Sequence, residues 1–238
     1  MDTQTVLQEQ VDRGAEEVDG ARIIRQAAVR ELATAGECSI REVELAALDG
    51  GVIPWRYVRN MGTIGLQGQA DLLRSSVAVV GLGGLGGYIS EAMARMGVGR
   101  LVLIDGDVFE EHNLNRQLLS EERSLGLPKA QAAARRVVAV NGAVEAVPFS
   151  VMLTADNAPQ LLEGVDVVVD GLDRLPTRLV LQDGARALGI PLVHGSIAGF
   201  LGQVMTIFPG DRGLHALYGD GSELPAHGLE ATLGTPAT

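Results

Sequence analysis

Residues 77–87 read VAVVGLGGLGG, residues 101–117 read LVLIDGDVFEEHNLNRQ and residues 126–129 read GLPK. The run Val77–Val80 is short, apolar and β-branched, as in a buried strand. Gly81-Leu82-Gly83-Gly84-Leu85-Gly86 follows it and opens a helical pattern, which is the context a G-x-G-x-x-G match requires. Gly81 permits a tight turn, Gly83 and Gly84 a close approach of backbone to a phosphate, and Gly86 close helix–strand packing. The N-terminus of the following helix offers unpaired N–H groups and a positive dipole end to an anion. Asp105 stands 19 residues beyond Gly86 at the end of the next strand. A carboxylate there can hold ribose hydroxyls. This half predicts a bound nucleotide and leaves its chemistry open between hydride transfer and reaction at phosphate.

The second half bears on that choice. Asn113, Arg116 and Lys129 follow the acidic strand end. A guanidinium forks onto phosphate oxygens, and a lysine at a helix start supplies a point charge. Neither is an evident need of a hydride-transfer enzyme. Taken singly, each also reads as a solvated surface charge. Asp173, in DGLDR just past the apolar run VDVVVD, falls at another strand's carboxyl end. Ligands of open α/β sheets bind at that edge. A lone carboxylate suits Mg²⁺, which takes one or two carboxylates plus phosphates. Asp173 also reads as the N-cap of the helix PTRLVLQ.

Working outward, apolar strands alternate with helical patterns: RLVLID, the helix PKAQAAARRVVAVNG, a weak strand VEAVPF, a short helix in TADNAPQLLEG capped by Thr154 or Asp156, VDVVVDG, the helix PTRLVLQDGARALG, then PLVHG and GQVMTIF. This predicts an α/β fold, Rossmann-like and doubly wound, with a mostly parallel sheet covered by helices on both faces. Residues 1–53 differ. ARIIRQAAVRELATAG carries apolar residues at helical spacing, Gly36 stops that helix, and Ser39 with Glu42 fits a capping box for REVELAALDGG. We therefore expect a helical N-terminal extension over 1–53 and a nucleotide-binding domain over 54–238, with Pro54 and WRYVRN at the transition.

Composition excludes several classes. The 238 residues are 46% apolar, enough for a sizeable core. Net charge is −11 and aromatics are 3%, which argues against a general affinity for nucleic acid or anionic membranes. The acidic start MDTQTVLQEQVDRG is unlike a signal peptide, and no apolar run approaches the ~20 residues of a membrane span. A cytoplasmic protein is expected. The single cysteine, Cys38, rules out a disulfide within the chain and a Cys₄ zinc site.

The set RYVRN, VAVVGLGGLGG, LVLIDGD, NLNRQ, GLPK, DGLDR and GFLGQVMTIFPG resembles the ThiF/MoeB/HesA family of adenylyltransferases, relatives of ubiquitin-activating enzymes. The resemblance runs from about Pro54 to Gly210 and is nearest to members that serve ThiS-type sulfur carriers. It implies that the glycine loop and Asp105 hold the adenosine and ribose of ATP, with Asp107 and Gln117 among the nucleotide-binding residues. It implies phosphate contacts for Asn113, Arg116 and Lys129, and Mg²⁺ binding for Asp173. Arg59, in RYVRN, matches an arginine that reaches the ATP of the other subunit of a homodimer. The implied substrate is the C-terminal Gly-Gly carboxylate of a ubiquitin-like sulfur-carrier protein, activated as an acyl-adenylate with release of pyrophosphate in thiamine- or molybdopterin-type sulfur transfer.

The chain departs from the family in two respects. Many members bind a structural zinc through two Cys-x-x-Cys pairs. The segment after FPGD has no cysteine, so no zinc is expected, and His194 and His215 read as structural. No cysteine follows Cys38, so adenylation is expected without a covalent link to the carrier. The end LEATLGTPAT falls where members continue into further helices, so the expectation is a chain cut short there or a minimal form. Residues 211–238 read as a crossover loop over the site or a poorly ordered tail. The alternatives are a non-catalytic nucleotide-binding member of the same fold and a nicotinamide-dependent oxidoreductase.

Overall fold

A computed structural model describes residues 3–219; the expectations for the tail beyond residue 219 lie outside the described residues. The chain forms two compact units. The first comprises the chain up to Ser75 with Met93–Arg100 and Val140–Glu145. The second comprises Ser76–Ala92, Leu101–Ala139 and the chain from Ala146 onward.

In the first unit, α1 (Thr3–Gly14) leads into a hairpin of β1 (Glu16–Val18) and β2 (Ala21–Ile24), followed by α2 (Gln26–Ala35) and α3 (Ile40–Asp49). The segment ARII, expected as the start of a helix, is strand β2. Asp19 and Gly20 both have positive φ, 52° and 77°, which is the type I′ turn that a two-residue Asp-Gly hairpin loop adopts. β2 also pairs in parallel with β3 (Ile53–Pro54), giving a small sheet beside the helices. The Ser39–Glu42 capping box is present: Ser39 Oγ accepts from Glu42 N at 3.1 Å, and Ser39 N donates to Glu42 Oε2 at 2.7 Å. Val11, Ile24, Val29, Val43, Ala47 and Val52 form the apolar interior.

A 3₁₀ helix over Trp55–Asn60 then leads to α4 (Met61–Arg74), an element the sequence reading omitted. A buried polar network fixes the 3₁₀ helix. Arg56 Nε lies 3.2 Å from Glu44 Oε1, Arg56 also donates to Asn141 Oδ1, and Asn141 Nδ2 donates to Tyr57 Oη at 2.9 Å and Ala94 O at 2.9 Å. Glu44 is 1% exposed, and burial, more than any other influence, pushes its carboxyl above the usual carboxylate range.

The second unit is built on a six-stranded, mostly parallel sheet flanked by helices. Its elements run β4 (Ser76–Val80), α5 (Gly84–Met96), β5 (Arg100–Ile104), α6 (Lys129–Val140), β6 (Glu145–Phe149), α7 (Ala158–Leu161), β7 (Val167–Asp170), α8 (Leu175–Ala187), β8 (Leu192–Ala198), β9 (Leu201–Ile207) and α9 (Leu214–Tyr218). The strand order is β6-β5-β4-β7-β8-β9, with β7 parallel to β4 and to β8, and β9 antiparallel to β8. The strands match the apolar runs of the sequence because β4, buried along its whole length, must be apolar on both faces. Ala78, Val80, Val102, Ile104, Leu162, Val168, Leu181 and Leu192 fill the core.

Candidate functional site

The strand order creates one crevice. From β4 the chain moves outward to β5 and β6, then returns to the other side of β4 as β7. Loops leaving β4 and β7 therefore diverge, and such a switch point is where open α/β sheets bind ligands. Here the two loops touch backbone to backbone. Gly81 has φ +86°, and a Cβ placed on it would lie 2.6 Å from the Gly171 carbonyl oxygen. A Cβ on Gly171 would lie 2.6 Å from the Gly81 carbonyl oxygen, and one on Gly86 would collide with that same oxygen. Gly81 thus makes the turn the sequence predicts, and Gly86 closes the helix onto it.

A pocket of about 290 Å³ opens at this junction. Gly81, Gly83, Gly84, Asp105, Asp107, Arg116, Gln117, Lys129 and Asp173 all line it. The sequence reading missed Arg174 and Arg178, which also line it. Ile104, Val151, Met152 and Leu153 add an apolar stretch of wall, suited to a planar base. Gly86 lies behind the turn. Asn113 is buried and outside the wall. Its Oδ1 accepts from Glu110 N at 3.0 Å and its carbonyl oxygen accepts from Gln117 N at 3.0 Å, so it shapes the loop that carries Arg116. Arg59 belongs to the first unit, is exposed and makes no hydrogen bond or ion pair among the described residues.

Each side chain in the wall is set by a nearby element. Asp105 directly follows β5, where Oδ2 accepts from Leu82 N at 2.7 Å and Oδ1 from Asp107 N at 2.8 Å. Burial pushes its carboxyl up, opposed by those two N–H groups and by Lys129. Lys129 opens α6 and is 6% exposed, with Nζ 3.1 Å from Asp107 Oδ2. Arg116 donates through Nη1 to His112 O at 2.6 Å. Asp173 is exposed and has no hydrogen bond or ion pair among the described residues. The N-cap of α8 is Arg174, and no side chain caps that helix; the reading of Asp173 as a cap is therefore corrected.

The wall's ionic side chains are Arg116, Lys129, Arg174 and Arg178 against Asp105, Asp107 and Asp173. Arg116, Lys129 and Arg174 set three cationic groups around the pocket of a chain whose net charge is −11, and these can meet the oxygens of a phosphate. Gln117 Oε1 is buried without a hydrogen-bond partner among the described residues. Such an acceptor fits a ligand that brings a hydroxyl or amino donor. Among the described residues no group of three or more His, Cys, Asp or Glu could hold a metal ion. A single free carboxylate fits a Mg²⁺ that arrives on phosphates. His194 is wholly buried, 2.6 Å from Asp170, and His215 bonds Asp183 and Gly219. Among the described residues no helix is long and apolar enough to cross a membrane.

Comparison with known proteins agrees with this geometry. The chain is 44% identical over 156 residues to the SAMP-activating enzyme E1 of Haloferax volcanii, covering 65% of this chain and 58% of that protein. It is 43% identical over 151 residues to the sulfur carrier protein adenylyltransferase of Thermus thermophilus, covering 63% and 56%. The structure of the E. coli tRNA N6-threonylcarbamoyladenosine dehydratase TcdA in complex with ATP superposes with a TM-score of 0.59 at 30% identity, covering 62% of this chain and 61% of that one. The chain thus spans under two thirds of the length of each. Residues 57–232 match the ThiF family model. With more than half of its length under that match, the chain belongs to the ThiF family.

Proposed function

We propose that the protein is an ATP-dependent adenylyltransferase that activates the C-terminal Gly-Gly carboxylate of a ubiquitin-like sulfur-carrier protein, in thiamine- or molybdopterin-type sulfur transfer in the cytoplasm. The observation that carries this reading is the convergence of the glycine loop, Asp105, Arg116, Lys129 and Asp173 on one pocket. The relatives named for activating SAMP and sulfur-carrier proteins support the substrate class. The ATP complex of TcdA supports the nucleotide.

The chemistry needs no general base. A carboxylate oxygen attacks the α-phosphorus. The bond from that phosphorus to the bridging oxygen breaks, and pyrophosphate leaves with the electron pair. The substrate carboxylate is already ionised near neutral pH, so no proton is transferred. The barrier is the approach of one anion to another in line with the leaving group, and catalysis is positioning plus charge neutralisation. Asp105 and Gln117 hold the nucleoside. Arg116 and Lys129 neutralise phosphate charge, Lys129 turning from Asp107 toward the ligand. Arg59 comes from a second copy in a homodimer. Mg²⁺, held by Asp173 and the phosphates, would add a divalent charge where negative charge accumulates. Adenylation itself needs no covalent link to this chain.

The test is carrier-dependent ATP–pyrophosphate exchange. Arg116→Ala and Asp173→Ala are expected to lower it by about 10³-fold or more, the scale of a phosphate-contacting arginine in related transfers. Both should keep the wild-type melting temperature, because neither side chain is buried. Unchanged exchange in either variant refutes the assignment. Reduced-nicotinamide binding without exchange would point to an oxidoreductase instead.

A further inference from the structure

Asp173, the free carboxylate of the pocket, stands on a loop that is gripped from behind. The loop leaves β7 at Asp170, which is wholly buried. Asp170 Oδ1 accepts from Leu172 N at 2.9 Å. Its Oδ2 lies 2.6 Å from Nδ1 of His194, its register partner on β8, also wholly buried. This one hydrogen bond ties the imidazole ring to the carboxylate. Arg178, 6% exposed on α8, completes the group. Its Nε–H donates to Leu172 O at 3.1 Å, an Nη2–H donates to the same oxygen, and Nε lies 3.7 Å from Asp170 Oδ2.

Both backbone groups of Leu172 are thus taken, the N–H by Asp170 and the C=O by Arg178. The carbonyl matters most. It belongs to the planar peptide unit that joins Leu172 to Asp173, so holding it fixes that plane and the position of the Asp173 Cα. One residue earlier, Gly171 is wedged against Gly81. The loop bearing the carboxylate is therefore registered against the glycine loop on one side and against α8 and β8 on the other. A buried ion pair contributes little net stability once its desolvation is counted. Holding a peptide plane is a geometric task, and a forked guanidinium on one carbonyl suits it.

From this arrangement we infer that Arg178, backed by Asp170 and His194, is a positioning residue that acts through Asp173, presenting its carboxylate to the metal–phosphate part of the bound nucleotide. The inference rests on the reading of the pocket as an ATP site. Arg178 itself need not touch the nucleotide.

Calorimetric titration of the full chain with ATP, in Mg²⁺ and separately in EDTA, tests it. Outer-shell partners of metal ligands typically cost 10–100-fold in metal affinity. Arg178→Met is expected to weaken ATP binding by about 10-fold or more in Mg²⁺ and by less than about twofold in EDTA. Arg178→Met/Asp173→Ala should bind no more weakly than Asp173→Ala alone. Arg178→Lys, which keeps a donor and a charge, should recover part of the loss and carries the test if the methionine variant does not fold. Equal losses with and without metal, or losses that add in the double variant, would overturn the inference by making Arg178 a direct ligand contact or a purely structural residue. The two readings fail separately. A wild type without exchange activity defeats the proposed reaction and leaves this cycle readable, whereas additive losses defeat the clamp and leave the reaction standing.

Discussion

Gly171→Ala is the most quantitative test of the junction. The new methyl carbon would stand 2.6 Å from the Gly81 carbonyl oxygen and 3.2 Å from the Gly86 Cα. A carbon–oxygen contact settles at about 3.3–3.6 Å, so the two loops must part by about 0.7–1 Å. Both obstacles are backbone, so no side chain can swing aside to relieve the clash. Overpacking of this kind costs about 1–3 kcal/mol, which for a protein of this size lowers the melting temperature by about 2–12 °C. The functional effect should be larger. Asp173 is two residues beyond Gly171 and the glycine loop is what it must face, and a misplacement near 1 Å costs about 100-fold in rate. Gly84→Ala is the control. Its methyl meets nothing within 4 Å, so it adds no clash at the start of α5. That variant should melt at the wild-type temperature and yet bind ATP more weakly, because Gly84 lines the pocket. Exchange and thermal melting measured on both variants decide the matter. A Gly171→Ala protein with wild-type exchange and melting would refute the claim that the two loops are registered by direct contact.

Three further outcomes are expected. Arg56→Met leaves Glu44 buried beside an apolar side chain and should cost about 3–5 kcal/mol in urea unfolding at neutral pH. Burial already holds the Glu44 carboxyl above its ordinary value, so it favours the folded state when protonated. The penalty should shrink as pH falls through that raised value, and a pH-independent penalty would contradict the reasoning. His215 is held above the ordinary imidazole value by the Gly219 carbonyl and then by Asp183. Its contribution should be complete below about pH 6.5 and fade as pH rises through the folded-state value, a slope in melting temperature that His215→Gln should remove. Burial, and then Glu42, pushes the Cys38 thiol up. Cys38→Ala should keep full exchange activity, and the native thiol should alkylate more slowly than a free cysteine; alkylation at the free-cysteine rate would contradict the reasoning.

Much of the site was legible because its parts are local. Gly81, Gly86 and Asp105 sit at spacings that only a strand–turn–helix–strand unit demands. Ser39 and Glu42 declare a helix start three residues apart. What escaped the reading depends on pairing at a distance. Asp170 and His194 become neighbours only because β7 and β8 align in parallel register. Arg178 joins them only because α8 packs back on the same strand end. None of the three stands out in the chain, since an isolated arginine or histidine has no period or spacing. The β1–β2 hairpin carried a signal in Asp19-Gly20 that the helical spacing around it outweighed. Met61–Arg74 holds Gly62, Gly65 and Gly68, which argue against a helix, and Gly65, at φ 66°, does break it.

The first unit is discontinuous in the chain, and this has a temporal consequence. A ribosome delivers residues in order, so Ser75 emerges about 70 residues before Glu145 completes the unit. At ~5–20 residues per second that gap lasts ~4–14 s. Throughout it Tyr57 and Arg56 lack Asn141, and Gln69 lacks the Met96 carbonyl until that segment follows. The amino-terminal helices and hairpin must wait, partly assembled, while most of the nucleotide pocket is being synthesised. Release of the nascent chain before residue 141 would leave Arg56 and the buried Tyr57 without Asn141, and such a fragment would be a substrate for chaperones or proteases before it was ever a protein.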